Sequence, residues 1–129
     1  MFRTPLAIAL ALLLPFAAFA ADKKKDQATK WDVNAAHGPT RSIAFNTDEG
    51  TWMDVDVSPD GRTIAFDLLG DLYLLPIEGG KAKRLTSGPA FDVQPRFSPD
   101  GKEIAFTSDR AGGNNLWRIG VDGKNAVQV

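Results

Sequence analysis

The tetrapeptide Ser-Pro-Asp-Gly occurs at residues 58–61 and again at 98–101, and Ile-Ala-Phe follows each copy, at 64–66 and at 104–106. The copies stand 40 residues apart. Self-similarity at a period of roughly 40–45 residues is the signature of a β-propeller blade, a four-stranded sheet repeated around a central axis. This period constrains the chain more than any single residue. A ring needs about 4 to 8 blades, and the repeat accounts for only two over the 129 residues.

The match continues beyond the turn. Leu72-Tyr73 lies over Leu116-Trp117, and Ile77-Glu78-Gly79 over Val121-Asp122-Gly123, now 44 residues apart. The second copy therefore holds a four-residue insertion, with Asp109 to Asn115 standing where the first has Leu69-Gly70-Asp71. Insertions in repeats fall in loops. Within the repeated turn, Pro59 fixes φ, Asp60 tolerates the third position and Gly61 supplies a positive φ, which is a type I turn closed by a glycine bulge. The flanks alternate as strands do: Val55 and Val57 share a side, as do Ile64 and Phe66, and Ile104 and Phe106.

The expected fold class is all-β: two four-stranded propeller blades, an incomplete propeller, after a signal peptide. The first blade spans about 53–86, with strands near 54–58, 63–67, 71–77 and 83–86. The second spans about 93–129, with strands near 94–98, 103–108, 116–120 and 126–129. Gly79-Gly80 and Asp122-Gly123 mark the turns between third and fourth strands. No apolar stripe of period 3.6 follows Asp22, so no helix is expected there. Ser42-Ile43-Ala44-Phe45 echoes the blade strands, and residues 41–47 are expected to form an orphan strand that completes a last blade from the far end of the chain. Val129 aligns with Leu85 and nothing aligns with Thr86, so the propeller is expected to continue beyond residue 129.

Residues 1–20 read as a cleaved secretory signal: Arg3, an apolar run from Leu6 to Phe19, and small residues Ala18 and Ala20 before a cut ahead of Ala21. The apolar run is too short for the roughly 20 residues of a membrane span, so no stable membrane anchor is expected. With no cysteine, there is neither a disulfide nor a lipidated cysteine, and the periplasm is the expected location. Residues 21–39 read as a flexible lead-in, and 40–129 as the partial propeller. Loss of Arg3 moves the formal net charge from −1 to −2. The run Lys23-Lys24-Lys25 lacks aromatic or further basic support, so no nucleic acid partner is expected.

Candidate sites are weak throughout. His37 is the only histidine, and beside Gly38-Pro39 it reads as a loop contact. Zinc wants three or four ligands, and a Ser-His-Asp triad would need this same ring. The run Asp54-x-Asp56-x-Ser58-x-Asp60-Gly61 departs from a calcium loop, with Pro59 at the position of the invariant glycine and Ala65 at that of the glutamate. Asp92 and Asp109 are expected to cap their loops. Gly112-Gly113 has no helix behind it and is no phosphate cradle. Trp52, Tyr73 and Trp117 are expected to pack between sheets. No catalytic, cofactor-binding or metal-ligating residue, and no cofactor, is expected in this chain.

The residues Phe97-Ser98-Pro99-Asp100-Gly101-Lys102, Ile104-Ala105-Phe106, Ser108-Asp109-Arg110, Gly113, Leu116-Trp117 and Asp122-Gly123 resemble a TolB-type (PD40, WD40-like) propeller repeat over about residues 55–129. A narrower likeness involves Trp31-Asp32-Val33-Asn34, His37-Gly38-Pro39-Thr40, Glu49-Gly50-Thr51-Trp52-Met53 and Phe66-Asp67-Leu68-Leu69-Gly70-Asp71. These resemble the start of exported proteins in which such a propeller precedes an amidohydrolase-type barrel. The resemblance implies a hydrolase domain downstream, with the propeller as scaffold, access gate or interaction surface. The expected partners are further blades and a downstream domain of the same chain, and other proteins. The chain departs from TolB itself, where an α/β domain separates signal from propeller; here about twenty polar residues intervene. A stand-alone interaction propeller and the propeller of an exported prolyl-oligopeptidase-type or tricorn-type peptidase remain the alternatives.

Overall fold

The computed structural model describes residues 32–35 and 37–129. The expected signal, its cleavage point, the lysine run and Trp31 lie outside the described residues. Eight strands follow in order: β1 (Val55–Val57), β2 (Thr63–Leu68), β3 (Asp71–Pro76), β4 (Lys83–Arg84), β5 (Asp92–Phe97), β6 (Glu103–Ser108), β7 (Asn115–Gly120) and β8 (Val127–Gln128). They make two antiparallel meanders, β1-β2-β3-β4 and β5-β6-β7-β8. Each repeat of the sequence is thus one blade, and no helix occurs among the described residues.

The repeated turn has the same internal bonding in both blades. In the first, Gly61 N donates to Ser58 O at 2.8 Å and Gly61 has φ +71°. Ser58 Oγ donates to Asp60 Oδ1 at 2.6 Å and accepts from Thr63 N at 2.9 Å, while Asp60 Oδ1 also accepts from Arg62 N at 3.1 Å. In the second, Ser98 Oγ, Asp100 Oδ1, Lys102 N and Glu103 N repeat these bonds within 0.1 Å. The serine is chosen because one hydroxyl can donate to the carboxylate and accept from the backbone at once.

In the first blade the next hairpin turn, between β2 and β3, is tighter. Leu68 pairs with Asp71, leaving Leu69 and Gly70 as a two-residue loop with φ +55° and +81°. This is a type I′ turn, whose twist suits a hairpin. Leucine at its first central position is strained by roughly 1–2 kcal/mol relative to a residue at ease in the left-handed region.

A four-stranded sheet has two faces and cannot bury either alone. The core lies between the blades: Ala65, Leu72 and Leu85 of the first meet Ile104, Phe106 and Ile119 of the second, with Leu74, Phe97, Trp117 and Val121 at the margin. Alternation along β2 puts Ala65 and Asp67 against the second blade and turns Ile64 and Phe66 to the other face, where Phe66 stacks on Tyr73 at 5.4 Å. In β6 the opposite set, Ile104, Phe106 and Ser108, is buried. The Ile-Phe face of one blade therefore covers the Ala-Asp face of its neighbour.

Polar bonds register this stack. Asp56 Oδ2 accepts from Phe97 N at 2.7 Å. Asp67 accepts from Gln94 N at 2.7 Å through Oδ2 and from Asp54 N at 3.2 Å through Oδ1. Gln94 N is available because β5 is bulged between Val93 and Arg96, with Gln94 at φ +59°. Pro95 fits there, since a bulge asks no ladder donor of it. Asp92 N also donates to Gly70 O at 2.9 Å.

Two expectations change here. The strand expected near 94–98 begins at Asp92, because the bulge adds a residue to it. The outer strands expected at 83–86 and 126–129 shorten to two residues each. Residues 41–47, whose expected partner lies beyond residue 129, are irregular and exposed among the described residues.

Two outcomes follow from this bonding. Replacing Asp67 by Ala orphans two backbone N–H groups and should cost about 2–3 kcal/mol in urea unfolding, with Asp67→Asn, which keeps one acceptor, costing less. Ser58→Ala and Ser98→Ala should each cost about 1 kcal/mol. The serine hydroxyl, then the following backbone N–H, holds each of Asp60 and Asp100 below the ordinary 3.8. Their contribution to stability is present above pH 3.8 and is lost as pH falls through the lowered folded value. Carboxyl titration by NMR should show both rising toward 3.8 in the serine variants.

Candidate functional site

The side chains that could have formed a reactive centre are engaged in holding the fold. His37 Nε2 lies 2.8 Å from the carbonyl oxygen of Asp32 in the lead-in loop. The acidic run from Asp54 to Asp60 is divided between jobs: Asp56 bonds Phe97 N across the blades, and Asp60 closes its own turn. Among the described residues, no three His, Cys, Asp or Glu side chains converge to hold a metal ion. Gly112 N donates to Asp109 O at 2.7 Å, which makes the glycine pair a turn within the inserted loop.

Asp92 does not cap a loop. It is 1% exposed at the start of β5, accepts from Ser108 Oγ at 2.6 Å, and pairs with Arg110 Nη2 at 2.5 Å. The Arg110 guanidinium lies over the rings of Phe106 at 5.2 Å and Trp117 at 5.1 Å, a favourable cation–π geometry. A buried carboxylate needs such partners to stay in the interior. Asp109 bonds the backbone of a different segment, accepting from Phe91 N at 2.8 Å.

The aromatic residues also separate. Trp117 is half-buried against the core between the sheets, as expected, whereas Tyr73 stacks on Phe66 on the opposite face of the first sheet and does not pack between the two blades. Trp52 is fully exposed (100%) and sits at φ +55°. It stands before β1 at the repeat position that Asp92 holds in the second blade.

The two ends of the blade pair differ in character. At the Ser-Pro-Asp-Gly end, the turns lie side by side: a Cβ on Gly101 would stand 3.5 Å from Pro59 Cδ. Between them is a groove of about 350 Å³ floored by Leu74, Phe97 and Val121, with Asp60 and Asp100 at its rim. Arg62 and Lys102 follow those carboxylates in sequence, and Lys102 Nζ is 3.9 Å from Asp100, so the rim is close to neutral. At the opposite end, Asp71 pairs with Arg84 at 2.5 Å. Burial raises the Asp71 carboxyl above its ordinary value, against the pull of Arg84, and its Oδ1 is buried without a hydrogen-bond partner. Leu69, in the turn before Asp71, and Phe91, which lies against Gly70, are both exposed.

Sequence reasoning missed Asp56, Asp67 and Asp92 as structural bridges. Asp67 carried a signal: an acid between Phe66 and Leu68 in a strand pattern needs donors in the interior.

Comparison with known proteins agrees with the blade geometry. The TolB beta propeller domain (PD40) profile matches residues 23–129. The Tol-Pal system protein TolB of Bordetella pertussis is 42% identical over 59 residues, which is 45% of this chain and 14% of that protein. An uncharacterized protein of Agrobacterium fabrum is 37% identical over 76 residues, 56% of this chain and 26% of its own length. A putative TolB structure from Agrobacterium tumefaciens superposes with a TM-score of 0.58 at 31% identity, covering 63% of this chain and 31% of that one. TolB from Acinetobacter baumannii superposes with a TM-score of 0.55 at 25% identity, covering 64% and 22%. The chain thus spans less than a third of each relative. With the family profile matched over residues 23–129 and the blades built as described, this chain belongs to the TolB β-propeller domain (PD40) family.

Proposed function

We propose that this chain is a non-catalytic propeller segment of a larger exported protein, acting as a scaffold and protein-interaction surface. The observation that carries the reading is the use of its polar side chains. Asp56, Asp60, Asp67, Asp92 and Asp100 each bond backbone, a serine or an arginine within the blades. A hydrolytic site needs a nucleophile, a base and an oxyanion or metal locus within reach of one another. Here the groups that could fill such roles are distributed as turn closures and blade clasps. A rigid stack of sheets with loops at both ends is instead the form on which binding surfaces are carried.

Export to the periplasm rests on the signal-like residues 1–20, and membership of a Tol-Pal-like envelope assembly is suggested by the name of the Bordetella relative. A downstream amidohydrolase-type domain rests on the resemblance of residues 31–71 alone. The alternative of a stand-alone interaction propeller shares the same surface and the same test.

The test is capture from cells. The tagged full protein, cross-linked in the envelope fraction, should co-purify with a defined protein partner in a fixed ratio. Full-length protein that captures no partner would contradict the reading.

A further inference from the structure

We propose that Asp122-Gly123 is the site at which this protein converts spontaneously to isoaspartate, and that the serines of the two Ser-Pro-Asp-Gly turns guard Asp60 and Asp100 against the same reaction. The chain contains three Asp-Gly pairs and no Asn-Gly pair. A following glycine makes an aspartate most reactive, because it has no Cβ to obstruct the approach of its nitrogen. In the reaction Gly123 N bonds to Asp122 Cγ, and the carboxyl hydroxyl leaves as water with the amide hydrogen. The resulting succinimide takes up one water at either carbonyl. Opening at one restores aspartate. Opening at the other leaves the main chain running through Cβ and Cγ, with no net change in composition and no redox partner.

The three pairs sit in nearly identical turns. Gly61 N, Gly101 N and Gly123 N donate to Ser58 O, Ser98 O and Gly120 O at 2.8, 2.9 and 2.8 Å, and the glycines have φ +71°, +70° and +85°. Each aspartate Oδ1 accepts from the N–H two residues on, at 3.1 Å from Arg62 N and Lys102 N and at 2.9 Å from Lys124 N. Exposure does not separate them. The side chains of Asp100 and Asp122 are 59% and 58% exposed, each with a lysine Nζ 3.9 Å from its Oδ2.

The difference is one hydroxyl. Ser58 Oγ and Ser98 Oγ each donate to their carboxylate at 2.6 Å, whereas Gly120 stands in the serine's place in the third turn. A Cβ on Gly120 would lie 2.8 Å from Asp122 Oδ1, so the carboxylate occupies the space a serine side chain would fill. The serine bond acts in two ways. It gives Oδ1 a second donor, so turning Cγ toward the glycine nitrogen breaks two charge-assisted bonds instead of one. It also favours the carboxylate over the acid, and water leaves only from the acid: Asp60 and Asp100 are held below the ordinary 3.8 by the serine first and the backbone N–H second. Isoaspartate at 122 lengthens the main chain inside the loop that Gly120 N closes by donating to Lys124 O at 2.9 Å. The outer strand β8, paired with β7 through Trp117↔Gln128 and Arg118↔Val127, then loses its register.

The experiment ages the full protein at neutral pH, folded and in urea, and digests it with trypsin. The three pairs fall in separate peptides, 42–62, 97–102 and 119–124, where isoaspartate is distinguished by retention time and located by electron-transfer fragmentation. In the folded protein Asp122 should convert roughly tenfold or more faster than Asp60 or Asp100, the factor that one hydrogen bond to a charged group implies. In urea the three should convert at similar rates. Ser98→Ala should bring Asp100 to the rate of Asp122 while Asp60 stays slow in the same molecule, which separates loss of the guard from loss of the fold. Ser58→Ala should do the converse. Equal conversion of the three in the folded protein, the same ordering in urea, or an Asp100 that stays slow in Ser98→Ala would overturn the proposal. So would an Asp122 that converts in urea and not in the folded protein.

Discussion

The face shared by the two sheets is the constraint on which the rest of the structure depends. Each meander is short and twisted, with outer strands of two residues, and has no interior of its own. Its largest fully buried side chains, Phe106, Leu72 and Ile104, are buried only because the other blade is present. Burying each of them is worth about 1.5–3 kcal/mol. The stack therefore stabilises both blades together, as in repeat proteins whose units lean on their neighbours.

Apolar contact alone would let one sheet slide over the other, because it is not directional. The aspartates remove that freedom. Asp56 and Asp67 each take one N–H of β5, and they do so at different heights on the strand, at Phe97 and at Gln94. The repeat does not copy this clasp. The positions of Asp56 and Asp67 are held by Arg96 and Thr107 in the second blade, and Thr107 Oγ1 donates to Gln94 Oε1 within its own sheet. In the other direction, the second blade has Asp92, Ser108 and Arg110 where the first has Trp52, Leu68 and a shorter loop. The blades are equivalent in backbone and distinct in what they offer a neighbour.

That contrast explains what the sequence discloses. Period, turn and insertion are local, so the eight strands, the glycine at positive φ and the position of the long loop could all be read from Ser58–Gly61, its copy and the residues 44 apart. Which face of each sheet turns inward could not, because Ile64 and Ile104 occupy the same repeat position and only the second is buried in the stack. The clasp was hidden for a related reason: the donors to Asp67 and Asp56 lie 27 and 41 residues away and are backbone groups with no side-chain signature. Pro95 was the visible trace of the bulge that frees one of them. Trp52, expected to pack between sheets, is exposed among the described residues, whereas Asp92 at the same repeat position is buried with its N–H on Gly70 O of the neighbouring blade.

The most direct test of the clasped blade pair is amide hydrogen exchange on the folded protein, resolved at Gln94 and Phe97. These two N–H groups have no ladder partner in β5; in this account Asp67 and Asp56 hold them. They should exchange as slowly as the amides of β6, and Gln94 should become fast in Asp67→Ala while Ile104 stays slow. Free exchange at both positions in the unaltered protein would mean that β5 is an open edge and that the blades are not joined as described.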